Sequence, residues 1–169
     1  MRLARDFFER DALEVAPDLL GKALVSHLPG LPQRRLIISE TEVYRGEEDT
    51  ACHAHRGRTR RTEPLYMAGG HFYIYLCYGI HWLLNAVTGP AGRPQGVLIR
   101  ACRGYEGPGR LTKYLGVTGE LNCAGVDICP HLWFEDEGRV VNITTAPRVG
   151  IAYASAEDRV RPWRFIEVK

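Results

Sequence analysis

The sequence predicts an α+β fold in which a single domain, residues 1–169, is built on a curved, mostly antiparallel β-sheet of open-barrel type. Short helices flank this sheet, and one β-hairpin protrudes from it. Apolar runs of strand length are numerous and short, turn residues separate them, and helix-like segments are few. No internal repeat, low-complexity tract or linker divides the chain. A domain of this length buries enough surface to fold without disulfides or a metal.

Composition excludes some classes of protein. The sequence has no apolar run of about 18 residues and no apolar signal core at its start, so we predict neither a membrane span nor a signal peptide. The five cysteines are scattered and lack a CxxC pair, which favours reduced thiols. These features are typical of a soluble, intracellular protein with no membrane partner.

Charge is informative only through its distribution. The formal net charge of +2 does not by itself indicate an anionic partner. Arginines cluster, however, at residues 56–61 and again between Arg148 and Arg164. We favour contact of these arginines with phosphate, and a solvated polar surface is the alternative.

The first 44 residues predict a short helix followed by a hairpin. A capping-box pattern begins at Asp11, and apolar residues follow at helical spacing until Gly21. Strands are predicted over residues 22–28 and 34–44, and the sequence PGLP between them predicts a turn. Residues 45–70 are polar and too long for a simple connection, which is typical of a functional loop.

The segment HFYIYLCY, residues 71–78, predicts the first strand of the protruding hairpin. Alternation places Tyr73 and Tyr75 on one face of that strand, and Gly79 supplies the turn. Tyr78 therefore stands at the tip, where an aromatic ring is suited to wedge between stacked bases. The tyrosines behind it either hold a flat ring or belong to the core.

The remainder of the chain predicts further short elements. A turn is predicted at 89–92 and a strand at 96–103, and Gly107-Pro108-Gly109 introduces a helix that ends at residue 115. Three short strands are predicted over residues 132–134, 139–144 and 161–168.

The strand LIISETEVY carries two carboxylates. Alternation predicts that Ile38, Glu40, Glu42 and Tyr44 share one face. Two glutamates buried without partners would cost free energy, so this face is either the wet side of an edge strand or the wall of a site. In a site, one carboxylate could act as general base towards a water molecule. Arg100 in the later strand is a possible ion-pair partner for either glutamate.

These motifs, taken in order, resemble the alkyladenine (3-methyladenine) DNA glycosylase family. The resemblance extends from about Phe7 to Phe165 and includes the segments ETEVYRGEEDTACHAHRGRT, HFYIYLCYGIHWLLN, VLIRA, GPGRL and RVG. Its most specific parts are ETE-x-Y with a histidine nine residues after the tyrosine, and Y-x-Y-x-x-Y-G with an asparagine seven residues after its last tyrosine. The family fold is one mixed domain with a curved antiparallel sheet and a hairpin that enters the minor groove.

The resemblance implies a role for seven residues. Glu42 matches the glutamate that activates the hydrolytic water, and Arg100 matches an arginine near that water and the target nucleotide. Tyr78 matches the residue that intercalates into the duplex.

The remaining four residues match the base-binding pocket of the family. Tyr44, His53 and Tyr75 match the aromatic residues that sandwich the extruded base, and Asn85 matches the residue that obstructs the amino group of normal guanine.

The implied activity is that of a monofunctional DNA glycosylase of base excision repair. Such an enzyme extrudes alkylated or deaminated purines, of the 3-methyladenine, 7-methylguanine, hypoxanthine and ethenoadenine class, from double-stranded DNA and leaves an abasic site. The resemblance implies no metal and no other cofactor, and we expect a cytoplasmic monomer, nucleoid-associated if bacterial.

Other classes of protein are weighed against this one. A lesion-binding module without hydrolysis could use the same wedge and stacking residues, although Glu42 argues against it. A zinc deaminase is disfavoured because the HxE and PCxxC signature is missing. Two Cys/His groups, at residues 52–55 and 123–131, lack the paired spacing of a structural zinc site.

Overall fold

A computed structural model describes all residues of the chain, Met1–Lys169. Nine strands join in one sheet that curls into a half-barrel, and every pair of neighbouring strands is antiparallel. The strands are β1 Ala23–Ser26, β2 Arg34–Arg45, β3 Phe72–Cys77, β4 His81–Val87, β5 Gln95–Cys102, β6 Tyr105–Glu106, β7 Leu132–Glu135, β8 Ile143–Ala146 and β9 Arg164–Glu167. The predicted fold class, an α+β domain with a curved antiparallel sheet and short helices, is confirmed.

The helices are short and lie at the margins of the sheet. They are α1 Arg5–Phe8, α2 Ala12–Asp18, α3 Pro108–Leu115 and α4 Ala156–Val160, and 3₁₀ turns occur at His53–Arg56, Glu63–Tyr66 and Gly119–Leu121. Asp11 caps α2 by accepting a hydrogen bond of 2.9 Å from the N–H of Leu13. None of the helices has the length and apolar character needed to span a bilayer.

One face of the sheet carries the main hydrophobic core. Phe72 and Ile74 of β3, with Val97 and Ile99 of β5, belong to a cluster of 24 buried residues that α2 and α3 cover. The opposite face of β3 carries Tyr73 and Tyr75, as strand alternation predicts. Burial of the core on one face leaves the other face free to line a cavity.

The two predicted hairpins are present, and some predicted bounds are wrong. β1 pairs with β2, and β3 pairs with β4 through a turn at residues 78–80. The strand predicted over 139–144 begins only at Ile143, and that predicted over 161–168 begins at Arg164. α1, β6 and α4 were not predicted because elements of two to five residues are too short to show a period.

The predicted face of β2 is wrong at Ile38. Ile38 and Glu40 of β2 pair with Cys102 and Ala101, which are consecutive in β5, so Ser39 is an extra residue in β2. Glu40 and Thr41 are consecutive in β2 but pair with Ala101 and Ile99, so Arg100 is an extra residue in β5. Two bulges therefore lie on either side of the pair Glu40–Ala101, one at Ser39 in β2 and one at Arg100 in β5.

Across the bulges, the side of the sheet to which even-numbered residues of β2 point changes from the core side to the opposite side. Ile38 packs in the main core together with Val43, and the buried hydroxyl of Thr41 donates to the carbonyl of Ala16 on that same side. The side chains of Glu42 and Tyr44 point to the opposite side, where the cavity lies. The bulges thus separate a core-packing half of the strand from a half that faces the cavity.

Candidate active site

A cavity of about 630 Å³ lies on the face of the sheet opposite the core. This volume falls within the usual range of small-molecule sites. Six of the seven predicted site residues line the cavity: Tyr44, His53, Tyr75, Tyr78, Asn85 and Arg100. The seventh, Glu42, lies immediately behind the lining and contacts three residues of it.

Glu42 is completely buried and fully held by polar partners. Its Oε2 accepts a hydrogen bond of 2.6 Å from the backbone N–H of Val149, and its Oε1 accepts one of 3.3 Å from the hydroxyl of Tyr44. The Nη1 atom of Arg100 lies 3.5 Å from Oε1. Burial raises the pKa of Glu42 above its usual value, although these three partners oppose that rise. A carboxylate with a raised pKa is a stronger proton acceptor, which is what a general base requires.

Tyr44 is fixed by a buried ion pair behind it. The guanidinium of Arg148 lies 5.0 Å from the ring centroid of Tyr44 and the same distance from that of Trp163. Arg148 Nη1 is 2.7 Å from Asp49 Oδ2, and both side chains are fully buried. Because Arg148 covers one face of the Tyr44 ring, the other face is available to the cavity.

The same ion pair orders the backbone around Glu42. Arg148 donates to the carbonyl of Val43, while Asp49 accepts from the N–H groups of Arg45 and Ala51. The residue after Arg148 is Val149, whose N–H holds Glu42. The pair therefore connects the loop after β2 to the segment that positions the buried carboxylate.

Three further rings that line the cavity, those of His53, Tyr73 and Tyr75, form a cluster. The Nδ1 atom of His53 is 2.9 Å from the hydroxyl oxygen of Tyr73, and the ring of His53 meets that of Tyr75 at 4.5 Å and 64°. Burial, with the nearby charge of Arg61 as the smaller cause, lowers the pKa of His53 to about 4. Burial also raises the pKa of Tyr73 to about 12. At pH 7 both groups are therefore neutral.

Asn85 also lines the cavity and lies opposite Tyr73 in the β3–β4 register. Its side-chain Nδ2 donates a hydrogen bond of 3.1 Å to the carbonyl of Tyr73, and this bond fixes the plane of the amide. A side chain held in this way can reject ring substituents by contact, because it cannot move aside without losing its partner.

Tyr78 stands at the tip of the β3–β4 hairpin with 91% of its surface exposed. Its backbone is in the left-handed region, with φ of 51°, and Gly79 follows with φ of 65°. For a residue with a side chain this conformation costs on the order of 1 kcal/mol. Ile80 at the same tip is also exposed. The turn thus projects aromatic and apolar surface away from the protein.

Several residues at the site were not found from the sequence. Tyr73 was not among the predicted pocket residues and was expected to be either structural or a support behind the pocket; it lines the cavity and contacts His53. Arg61 and Tyr153 also line it, from the long loop and from the segment before α4. Arg148 was grouped with candidate phosphate contacts, but it is buried and paired with Asp49. The motif RVG, residues 148–150, was the only sequence signal for the segment that contains Arg148 and Tyr153.

The arginine clusters divide into paired and unpaired side chains. Arg161 and Arg164 are paired with acidic side chains, as is Arg58 with Glu63. Arg56, Arg60 and Arg61 of the loop have no acidic partner within salt-bridge distance: these are the cations of the loop that remain free for an external anion. The two Cys/His groups noted in the sequence do not converge on a geometry that could hold a metal ion.

The cavity is lined by aromatic residues, a buried carboxylate lies directly behind its lining, and an exposed aromatic tip lies beside it. This combination is typical of enzymes that act on a nucleobase removed from its stack. The sequence profile of the family described as Methylpurine-DNA glycosylase (MPG) matches residues 6–106 and 103–169. The chain therefore belongs to the methylpurine-DNA glycosylase family, and its class is that of a DNA glycosylase, a hydrolase of N-glycosyl bonds in DNA.

Relatives with the name "Putative 3-methyladenine DNA glycosylase" match almost the whole chain. That of Methanocella arvoryzae is 43% identical over 98% of this chain and 92% of its own length. That of Nitrosococcus oceani is 44% identical over 94% of this chain and 86% of its own length. That of Chlamydia abortus is 41% identical over 95% of this chain and 94% of its own length. The likeness thus includes every element that builds the cavity.

Proposed function

We propose that this chain is a monofunctional DNA glycosylase that acts as a monomer and forms one catalytic domain over its whole length. It extrudes alkylated or deaminated purines from duplex DNA and hydrolyses the N-glycosidic bond with a water activated by Glu42. No metal or other cofactor takes part in this proposal. The observation that carries it is the contact of a buried carboxylate of raised pKa with the lining of a cavity that has aromatic residues in its walls and is large enough to admit a purine.

Extrusion is the first step of the proposed reaction. Unstacking and rotating a nucleotide costs a few kcal/mol, and less where damage has already weakened pairing. Tyr78 enters the gap left in the duplex, because its ring is exposed and has no partner in the protein. The adjoining cavity, whose lining includes Tyr78, receives the base.

Binding of the base then depends on aromatic rings at both of its faces. Tyr44 stacks on one face of the ring, and His53 with Tyr75 covers the other. Asn85 in the cavity lining obstructs the exocyclic amino group of guanine, since its amide plane is fixed by the carbonyl of Tyr73. Normal guanine is therefore rejected and lesions without a clash are held.

Hydrolysis completes the sequence. The water oxygen forms a bond to C1′ of the sugar, and its proton passes to the carboxylate of Glu42. The bond from C1′ to the base breaks, and the base leaves with the electron pair. Arg100, 3.5 Å from Glu42, stabilises the ionised carboxylate and keeps it oriented. The product is an abasic site in an uncut strand.

Incubation with defined duplexes tests this proposal. Duplexes that contain 7-methylguanine, hypoxanthine or ethenoadenine are incubated with the protein in the presence of a chelator and then treated with alkali. Release of free base, with strand cleavage only after alkali, is expected. Strand cleavage without alkali or a requirement for a divalent metal would overturn the mechanism, and tight binding without base release would assign the chain to lesion recognition alone.

A further inference from the structure

Arg61 introduces an unpaired positive charge into the cavity. Its guanidinium carbon lies 5.5 Å from the ring centroid of Tyr75, on the wall where the base is proposed to stack. Arg58 in the same loop is paired with Glu63, whereas Arg61 has no acidic side chain within salt-bridge distance. The side chain of Arg61 is exposed, so it can move to the edge of a bound ring without breaking an ion pair.

No carboxylate lines the cavity to offset this charge. The acid nearest the lining is Glu42, and its two oxygens are already engaged by Val149, Tyr44 and Arg100. His53 is neutral at pH 7 because burial lowers its pKa to about 4. The local field at the stacking wall is therefore positive.

This field acts differently on the two kinds of damaged purine. A base alkylated at N3 or N7 is a cation and leaves readily as a neutral molecule, but it is repelled by a nearby guanidinium. A neutral purine such as hypoxanthine leaves with an extra electron pair, and the negative charge that develops on it needs a hydrogen-bond donor. Guanidinium is a donor with several N–H groups and does not give up its proton at any physiological pH.

We propose that Arg61 sets the lesion preference of this enzyme by donating hydrogen bonds to the acceptor edge of a neutral purine as that purine departs. This inference rests on the glycosylase function proposed above. The base leaves as an anion that is paired with Arg61, and it then takes a proton from solvent water. The same charge weakens the selection of purines that are already cationic.

The experiment compares single-turnover rates, with enzyme in saturating excess, on matched duplexes that contain hypoxanthine or 7-methylguanine. Arg61→Gln is expected to slow hypoxanthine release by about 10- to 100-fold, which corresponds to the loss of one hydrogen bond from a charged donor. Release of 7-methylguanine is expected to be unchanged or faster. Arg61→Lys retains the charge with fewer donors and gives an intermediate loss on hypoxanthine.

Arg60→Gln is the matched control, because Arg60 is an exposed arginine of the same loop that does not line the cavity. It is expected to leave the ratio of the two rates as in the wild type. An equal loss on both substrates with Arg61→Gln, or a selective loss with Arg60→Gln, would overturn the assignment. A wild type that releases 7-methylguanine but not hypoxanthine would also overturn it while supporting the proposed function, and release of neither base would reject the proposed function itself.

Discussion

Replacement of Glu42 by glutamine separates chemistry from binding. The amide has the size of the carboxylate, and its oxygen can still accept the 2.6 Å hydrogen bond from Val149. Its NH₂ group then faces Tyr44 and Arg100 and cannot take a proton from water. Loss of a general base reduces the rate by about 10²- to 10⁴-fold, or roughly 3 to 5 kcal/mol in the barrier. Duplex binding is expected to persist, because Glu42 has no exposed surface with which to contact DNA.

The pH dependence of Glu42→Gln provides a second measurement. A general base works as the carboxylate, so the wild-type rate rises with pH through the raised pKa of Glu42 and then levels off. The glutamine variant lacks this acidic limb. Stability changes in the opposite sense: a carboxyl group whose pKa is raised by folding contributes stability below its unfolded pKa, and this contribution is lost as pH rises through the folded pKa. The wild type is therefore expected to lose stability relative to the variant as pH rises through that range.

Single-turnover base release and fluorescence anisotropy with a lesion-containing duplex measure the two effects of Glu42→Gln. Glu40→Gln is the matched control, because Glu40 lies two residues away on the same strand and pairs with Arg164 instead of the site. It is expected to retain most of the activity. A Glu42→Gln rate within about threefold of the wild type, or an unchanged acidic limb, would remove Glu42 from the mechanism.

Three further perturbations address the tip, the buried ion pair and the histidine. Tyr78→Ala is expected to slow release from paired lesions more than from mismatched ones, in parallel single-turnover assays; equal effects on both would contradict a role in extrusion. Asp49→Asn leaves the charge of Arg148 buried without its partner, so urea denaturation is expected to show a loss of about 3 to 5 kcal/mol in the free energy of unfolding. A loss below about 1 kcal/mol would show that the pair is not structural. NMR titration is expected to place the pKa of His53 at about 4, and Arg61→Gln to raise it; a pKa near 6.5 would mean that the ring is solvated.

The parts of the site that depend on local pattern were predicted from the sequence. The tyrosine hairpin, its turn and the faces of Tyr73 and Tyr75 follow from alternation over a few residues. The resemblance to a family identified the other predicted residues, and the structure brings them to one cavity, except that Glu42 lies behind its wall. Their roles in catalysis stay predictions.

The parts that depend on distant segments were not predicted. The bulge at Ser39 exists only relative to its partner strand, so alternation within β2 placed Ile38 on the wrong face. The pair between Arg148 and Asp49 joins residues that are 99 apart in the chain, and neither residue has a local signal for burial. A charged side chain in a polar sequence context is ordinarily assigned to the surface, which is why Arg148 was interpreted as a phosphate contact.

The paired bulges of β2 and β5 limit which changes of length the chain can tolerate. Deletion of Ser39 alone would remove one of the two compensating irregularities and leave the bulge at Arg100 of β5 without its counterpart. The ladder between β2 and β5 would then carry one unmatched residue next to Glu42, whose partner in β5 is Leu98. Insertions and deletions among homologous chains should accordingly avoid residues 38–42 and fall in the connecting loops. An alignment that opens a gap there would identify a homologue with a different catalytic arrangement.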